Sequence, residues 1–423
     1  MERRIVITGL GLVTALGHEV KTVWQQLLNG QDATSDLEKP VPILRRRQII
    51  RNARIKNFDL KELEPVLAKQ EKLLRSARKA TQFALVAGLR AARDAGLVKP
   101  TETSLDLSQV DPLRTAVYIG LSMGDGPAYF DQVATYVDPQ QGPTKIKMLT
   151  VPEIMPNGPA AHVSIMLGAK RTAQCLTTAC STGTDNIGHG YWLIKLNKAD
   201  TVIAGGCDDL AHEFYLACFG NLGALSLRGI SCPFSKERDG FVMGEGAGIV
   251  VLEEYEHAKA RGANLYAELV GYDTTADAFH ITAPPDDHEG GQRVVRGALA
   301  EAGLQPEDVH YINAHGTSTE VNDKTETALI RNVFGKHAYE LPISSTKSML
   351  GHCIGAAGAI EAVVCCLTVK NGQIHPTINY TIPDPECDLD YCVAGSRQTK
   401  VEVAGSISLG FGGHNSFLLF KIL

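Results

Sequence analysis

Leu176-Thr177-Thr178-Ala179-Cys180-Ser181-Thr182-Gly183 is the stretch that decides how this chain is read. A moderately polar strand over 172–176 stops there, and a helix rich in small residues starts and runs through Tyr191 to Asn197. A cysteine at a strand-to-helix turn faces the unpaired N–H groups and the positive dipole end of the helix. Both favour thiolate over thiol, which makes Cys180 a candidate nucleophile. The competing reading is a small buried hydrophobe, since free cysteine is among the most buried residue types.

Outward from this turn, strand-like and helix-like runs alternate. Strands are expected at 4–9, 116–121, 201–205, 248–253, 266–272, 311–314, 403–409 and 417–422. Helices are expected at 81–95, 291–302, 323–334 and 356–370. Such alternation predicts an α/β fold with buried sheets. The plan looks duplicated, because a second strand–turn–helix lies at Gly351-His352-Cys353-Ile354-Gly355-Ala356-Ala357-Gly358. A seam near 253–261 gives two halves, 1–255 with the thiol and 256–423 with the second turn.

Bulk properties narrow the function classes. The chain has 423 residues, 44% hydrophobic and 21% charged, as in an ordinary globular protein of two or more structural units. A net charge of −6 gives no general attraction to nucleic acid. The 10 cysteines form no CxxC pair, and Cys365 and Cys366 adjoin in an apolar helical run. They are expected to be reduced and buried, without a disulfide scaffold. The N-terminus enters a strand with no signal-peptide core, and the apolar runs fall far short of the ~20 residues of a membrane span. A cytoplasmic protein without membrane contact is expected. Two basic clusters stand out: one over 44–56, and one of Lys69, Lys72, Arg75, Arg78 and Lys79. Each is either a solvated face or a docking surface for an acidic partner.

Three further stretches carry chemistry. In Tyr311-Ile312-Asn313-Ala314-His315-Gly316-Thr317-Ser318-Thr319 a strand delivers His315 to a hydroxyl-rich turn, where sites concentrate in α/β folds. In Ser345-Thr346-Lys347-Ser348-Met349-Leu350-Gly351-His352 a histidine opens a Gly/Ala helix, a position that disfavours imidazolium, and Lys347 lies five residues before it. In Gly410-Phe411-Gly412-Gly413-His414-Asn415 the glycine density can aim N–H groups at an oxyanion. A thiol activated in the protease manner needs one base. Two histidines suit two oxygens, such as a thioester carbonyl and an enolate. No metal-ligand cluster appears, and Gly9-Leu10-Gly11 lacks the third glycine of a dinucleotide fingerprint.

These segments, in order and together with Pro156-Asn157-Gly158, the run 238–248 and Asp277-Ala278-Phe279-His280, resemble β-ketoacyl-[acyl-carrier-protein] synthases of the elongating type, the synthase I/II group. The resemblance implies a thiolase-like fold, two similar halves stacked as five layers α-β-α-β-α, in a homodimer. It implies a decarboxylating Claisen condensation. Cys180 would hold the acyl chain, and His315 and His352 would stabilise the enolate of malonyl-carrier protein. Lys347 with Glu361 would act electrostatically. The N–H groups of Cys180 and Phe411 would form the oxyanion hole, Thr317 and Thr319 would hold the phosphopantetheine arm, and Phe219 and Phe411 would border the acyl pocket. Lys72 and Arg75 would meet the acidic carrier. The resemblance implies no cofactor beyond the carrier's own arm and no metal-ligating site residue, while a bound monovalent cation would fit the family. The chain departs from the family pattern in a shortened run at 224–234, in Leu409 where the family has an aromatic, and over 45–56. These departures touch chain length and carrier choice, and they favour a specialised, polyketide-type synthase. A thiolase would need a late second cysteine where Phe411 stands. A priming synthase would pair its cysteine with His and Asn. A non-catalytic chain-length subunit of a heterodimer would lack the nucleophile.

Overall fold

The structure is a computed structural model that describes residues 3–98, 105 and 107–423. Ten strands form one mixed sheet: β1 (Ile5–Val13), β2 (Thr115–Gly120), β3 (Ala173–Gln174), β4 (Thr201–Asp208), β5 (Gly246–Glu254), β6 (Ala267–Ala276), β7 (Tyr311–Asn313), β8 (Ile343–Ser344), β9 (Val403–Gly410) and β10 (His414–Lys421). From the middle outward one side runs β1-β5-β4-β2-β3 and the other β6-β10-β9-β7-β8. The second five strands repeat the first five in order, and in which pairs are parallel. The two sets are joined edge to edge where Ile5, Val6 and Ile7 pair with Leu269, Glu268 and Ala267. The short helix Tyr255–Ala260 carries the chain from one set to the other.

Five long helices complete the layers: α1 (Lys79–Asp94), α2 (Thr182–Lys195), α3 (Glu289–Ala302), α4 (Glu320–Phe334) and α5 (Ala357–Asn371). Helix α1 covers β1 and β5 on one outer face, and α3 covers β6 and β10 on the other. Helices α2 and α5 lie between the two half-sheets and touch both. This is the expected α-β-α-β-α stack, except that the β layers share an edge. Helix α5 with its preceding turn, Ile354–Asn371, is 18 residues of mean hydropathy 1.4, longer and more apolar than the sequence reading allowed. It is 89% buried, so its apolarity serves a helix with sheet on both sides rather than lipid.

The glycines do structural work where backbones meet. A Cβ on Gly9 would lie 2.2 Å from the Ala91 carbonyl, and on Gly11 2.0 Å from that of Ala87. The Gly-Leu-Gly run therefore seats α1 on β1. Between the central helices, a Cβ on Gly183 would lie 2.7 Å from the Ala359 nitrogen, and on Gly358 2.0 Å from the Thr184 hydroxyl. Beside them, a Cβ on Gly206 would lie 2.3 Å from the Gly355 carbonyl. The expected strand at 172–176 shrinks to β3, because Leu176 and Thr178 bond side chains of α2 instead of a neighbouring strand. The basic run at 45–56 contributes to a hairpin, Ser35–Ile43 with Arg47–Asn52, with Arg45 and Arg46 in left-handed conformation at its tip.

Gly183→Val should force the two central helices apart. The expected cost is about 2 kcal/mol or more of unfolding free energy, from overpacking against backbone that cannot yield. Chemical denaturation would read it, and an unchanged midpoint would contradict this account of the helix contact.

Candidate functional site

Cys180 follows Ala179, which is held at φ 50, and sits in the single 3-10 turn Ala179–Ser181 before α2. The second half repeats this device. Ile354 is held at φ 45 in the turn Ile354–Ala356 before α5, with His352 just upstream. Non-glycine residues in the left-handed region are strained and mark places where the surrounding fold fixes the backbone. Because α2 and α5 touch at their first turns, the two strained turns face each other. The turn after β7 brings His315 to the same point.

The Cys180 sulfur and one ring nitrogen from each of His315 and His352 lie within 4.8 Å of one another, and all three residues are buried. The two rings are perpendicular, with centroids 5.3 Å apart. His352 accepts the Ile354 N–H at Nδ1 (3.2 Å), so its proton sits on Nε2, which has no protein partner. Phe241 packs edge-on against His352, with centroids 5.0 Å apart. The backbone N–H groups of Phe411 and of Cys180 itself are directed at the sulfur. Lys347 Nζ lies 2.5 Å from Glu361 Oε1, and both side chains are almost fully buried. This ion pair sets a fixed cation close to the cluster.

Burial dominates the electrostatics. It pushes the Cys180 thiol up to about 11, against the pull of Lys347 and of the two N–H groups. The thiolate expected from the helix N-terminus is therefore not the resting state: desolvation exceeds the dipole and the nearby cation. Burial, followed by Lys347, holds His315 and His352 well below the usual imidazole range, so both rings are neutral at pH 7. Burial raises Glu361, and Lys347 opposes it. One thiol and two imidazoles are also a donor set for a soft divalent ion. Their spread of up to 4.8 Å exceeds the roughly 3.5 Å between donors that tetrahedral zinc bond lengths give.

A cavity leads to this cluster. Its apolar wall is Phe219, Ala224, Phe241, Ile354, Leu409 and Phe411. Phe219 and Phe411 stack at 6.5 Å. Two of the three departures from the family pattern, Leu409 and the start of the shortened run at Ala224, lie on this wall. The polar wall includes Thr317 and Thr319, whose hydroxyls are 2.9 Å apart. Lys347 and Glu361 do not line this cavity. Lys72 and Arg75 are exposed on and just after the short helix Glu71–Leu74, and the fold does not bring them to the cavity.

Three acidic residues not singled out from the sequence hold the cluster in place. Glu326 accepts the N–H groups of His315 (2.6 Å) and Gly316 (2.8 Å). Asp208 accepts that of Gly355 (2.6 Å). Burial raises both carboxyls to about 7. Asp185 accepts hydroxyls from Thr178 (2.5 Å), Tyr272 (2.8 Å) and Ser416 (2.5 Å), which ties the Cys180 turn to the second half. One signal was available: Asp323 and Glu326, three apart, share the helical face of Leu329, Ile330 and Val333, where a carboxylate needs a buried partner.

Comparison with known proteins agrees with this architecture. The family model for the beta-ketoacyl synthase N-terminal domain matches residues 2–258, and that for the C-terminal domain matches residues 266–381. The chain belongs to the beta-ketoacyl synthase family. It is 41% identical to a 3-oxoacyl-[acyl-carrier-protein] synthase 2 of Staphylococcus aureus, over 99% of this chain and 98% of that one. It is 40% identical to the Synechocystis protein of the same name, with the same coverage. Among solved structures it resembles a type II polyketide ketosynthase in complex with its acyl-carrier protein, AntDE:AntF (TM-score 0.89, 34% identity, full coverage of both chains). It also resembles a beta-ketoacyl synthase from Burkholderia phymatum (TM-score 0.87, 33% identity, full coverage of both chains).

Alkylation of Cys180 by iodoacetamide should accelerate about tenfold per pH unit from pH 7 to 10 and level off near 11, because only the thiolate reacts. Lys347→Met removes the cation that favours the thiolate and should slow the reaction at pH 8. Peptide mass spectrometry would measure both, and a plateau below pH 8 would contradict the neutral resting thiol.

Proposed function

We propose that this chain catalyses the decarboxylating Claisen condensation of an acyl thioester held on Cys180 with malonyl-[acyl carrier protein]. The product is 3-oxoacyl-[acyl carrier protein], in fatty-acid or polyketide chain elongation. The observation that carries this reading is the convergence of one sulfur and two neutral imidazoles within 4.8 Å, with two backbone N–H groups aimed at the sulfur.

In the first step Cys180 Sγ attacks the carbonyl of an acyl-carrier thioester. The developing oxyanion lies between the N–H groups of Cys180 and Phe411. The old C–S bond breaks, and the thiol proton passes to the departing carrier thiolate. Malonyl-carrier then enters, and its thioester oxygen takes hydrogen bonds from His352 Nε2–H and from His315. Neutral rings suit this role, because they donate without being consumed as acids. The bond to the carboxylate breaks, CO2 leaves, and the electron pair forms the enolate. Its carbon attacks the Cys180 acyl group, a C–C bond forms, and the C–S bond to Cys180 breaks. The thiolate released is stabilised by Lys347 and the two N–H groups until it is reprotonated. Lys347 and Glu361 act through charge and placement. Removing one oxyanion donor in such a site costs about 3 kcal/mol of barrier.

The arm that carries both substrates is the carrier's phosphopantetheine, held by Thr317 and Thr319, and the enzyme uses no cofactor or metal of its own. Phe219 and Phe411 border the acyl pocket. Lys72 and Arg75 form part of the carrier's docking face. The functional unit is a homodimer in the cytoplasm. In support of a dimer, Tyr136, Val137, Met148 and Val151 are exposed, and β3 ends the sheet with an unpaired edge. Residues 1–255 supply the nucleophile and residues 256–423 the two imidazoles.

Three variants test the roles. Cys180→Ala should abolish acyl loading from labelled acyl-carrier protein, read as mass on the protein. His315→Ala and His352→Ala should still load, but CO2 release should fall by 10² or more. Normal condensation by either histidine variant would overturn its role. A wild type that neither loads nor releases CO2 would be a non-catalytic subunit, and one that prefers acetyl-coenzyme A to malonyl-carrier would be a thiolase.

A further inference from the structure

A third histidine meets the same cavity. His288 is 1% exposed and precedes α3 as its N-cap. It lines the cavity together with Thr317, Thr319, Asn322 and Asp277. Three features set it apart. Its backbone is held at φ 47, the left-handed region, which costs a side-chain-bearing residue strain that glycine would avoid. It makes no side-chain cap to α3, so local helix chemistry does not account for it. Both its ring nitrogens are buried without a hydrogen-bond partner. Orphaned buried polar atoms are costly, and two on one ring at a cavity wall point to a ligand that satisfies them.

The chemistry of the cavity lining identifies the ligand. Phe219, Phe241, Leu409 and Phe411 offer nothing polar to an imidazole. His288 lines the same cavity as the hydroxyls of Thr317 and Thr319, which suit a polar chain rather than an acyl chain. Burial lowers its pKa, and Asp277 opposes this, so the ring is neutral and offers one donor and one acceptor. A secondary amide presents the complementary pair, one C=O and one N–H. Resting on the function proposed above, we infer that His288 is a substrate-binding residue, with its ring hydrogen-bonded to an amide of the carrier's pantetheine arm. It recognises the arm and takes no part in bond making. Fixing the arm also fixes the thioester relative to His315 and His352.

The test compares two acyl donors for loading of Cys180: acyl-carrier protein, and an acyl thiophenyl ester that has no arm. Loading is followed by mass spectrometry in wild type, His288→Gly and His288→Asn. With His288→Gly, the second-order rate from acyl-carrier protein should fall about tenfold, while the rate from the thiophenyl ester stays within twofold. KM for malonyl-carrier should rise about tenfold, with kcat within threefold. The melting temperature should not fall, because glycine relieves the φ strain. His288→Asn tolerates the left-handed conformation and keeps a donor and an acceptor, so it should lie between the two. Equal effects on both donors, or none on either, would overturn the inference. A lower melting temperature with unchanged carrier kinetics would make His288 structural. Should the wild type fail to load from acyl-carrier protein at all, the proposed function falls first.

Discussion

The whole site hangs on the contact between two helices that carry almost no side chain where they meet. Gly183 and Gly358 let α2 and α5 approach to backbone distance, and Gly206 admits the Gly355 carbonyl beside them. Because both helices are packed between half-sheets, the approach is fixed from both sides. Each helix is entered through a strained turn, one with Cys180 and the other just after His352. Residues 172 positions apart in the chain thus become neighbours through helix packing, with the internal repeat supplying two copies of the device.

The second constraint is dryness. Burial decides the protonation of every group at the centre: thiol on Cys180, neutral imidazole on His315 and His352. Lys347 and Glu361 offer opposite charges, and they are paired with each other. A buried pair of this kind is weak evidence for stability, but it fixes a cation near the place where the sulfur carries charge. In the proposed reaction the thiolate is thus stabilised when it forms during turnover and is not stored at rest. The carboxyls of Glu326 and Asp208 extend the same logic, since they accept backbone N–H groups of the turns at His315 and just after His352.

Much of this was legible in the text. The strand–helix alternation predicted an α/β fold with buried sheets, the family resemblance implied the five layers, and the turns around Cys180, His315, His352 and Phe411 were singled out from glycine, hydroxyl and small-residue spacing. Less visible was anything set by burial. The helix dipole at Cys180 is a local feature and could be read, whereas the desolvation that outweighs it belongs to the packed core. His288 stood in a run of turn residues and showed no pattern. Its left-handed backbone and unpaired ring emerge only in the folded chain, where it is buried at the start of α3. The apolar length of Ile354–Asn371 was underestimated because small Ala and Gly residues dilute an apolar run, yet between two half-sheets they are what allows full burial.

The sequence by itself determined the types of group available and the local geometry that presents each one, because capping, turn chemistry and periodicity act over a few residues. Tertiary structure alone decided that the sulfur and two ring nitrogens share a space of 4.8 Å, and in which protonation states. Distance between remote residues, and the exclusion of water around them, are properties of packing that no short stretch of chain encodes.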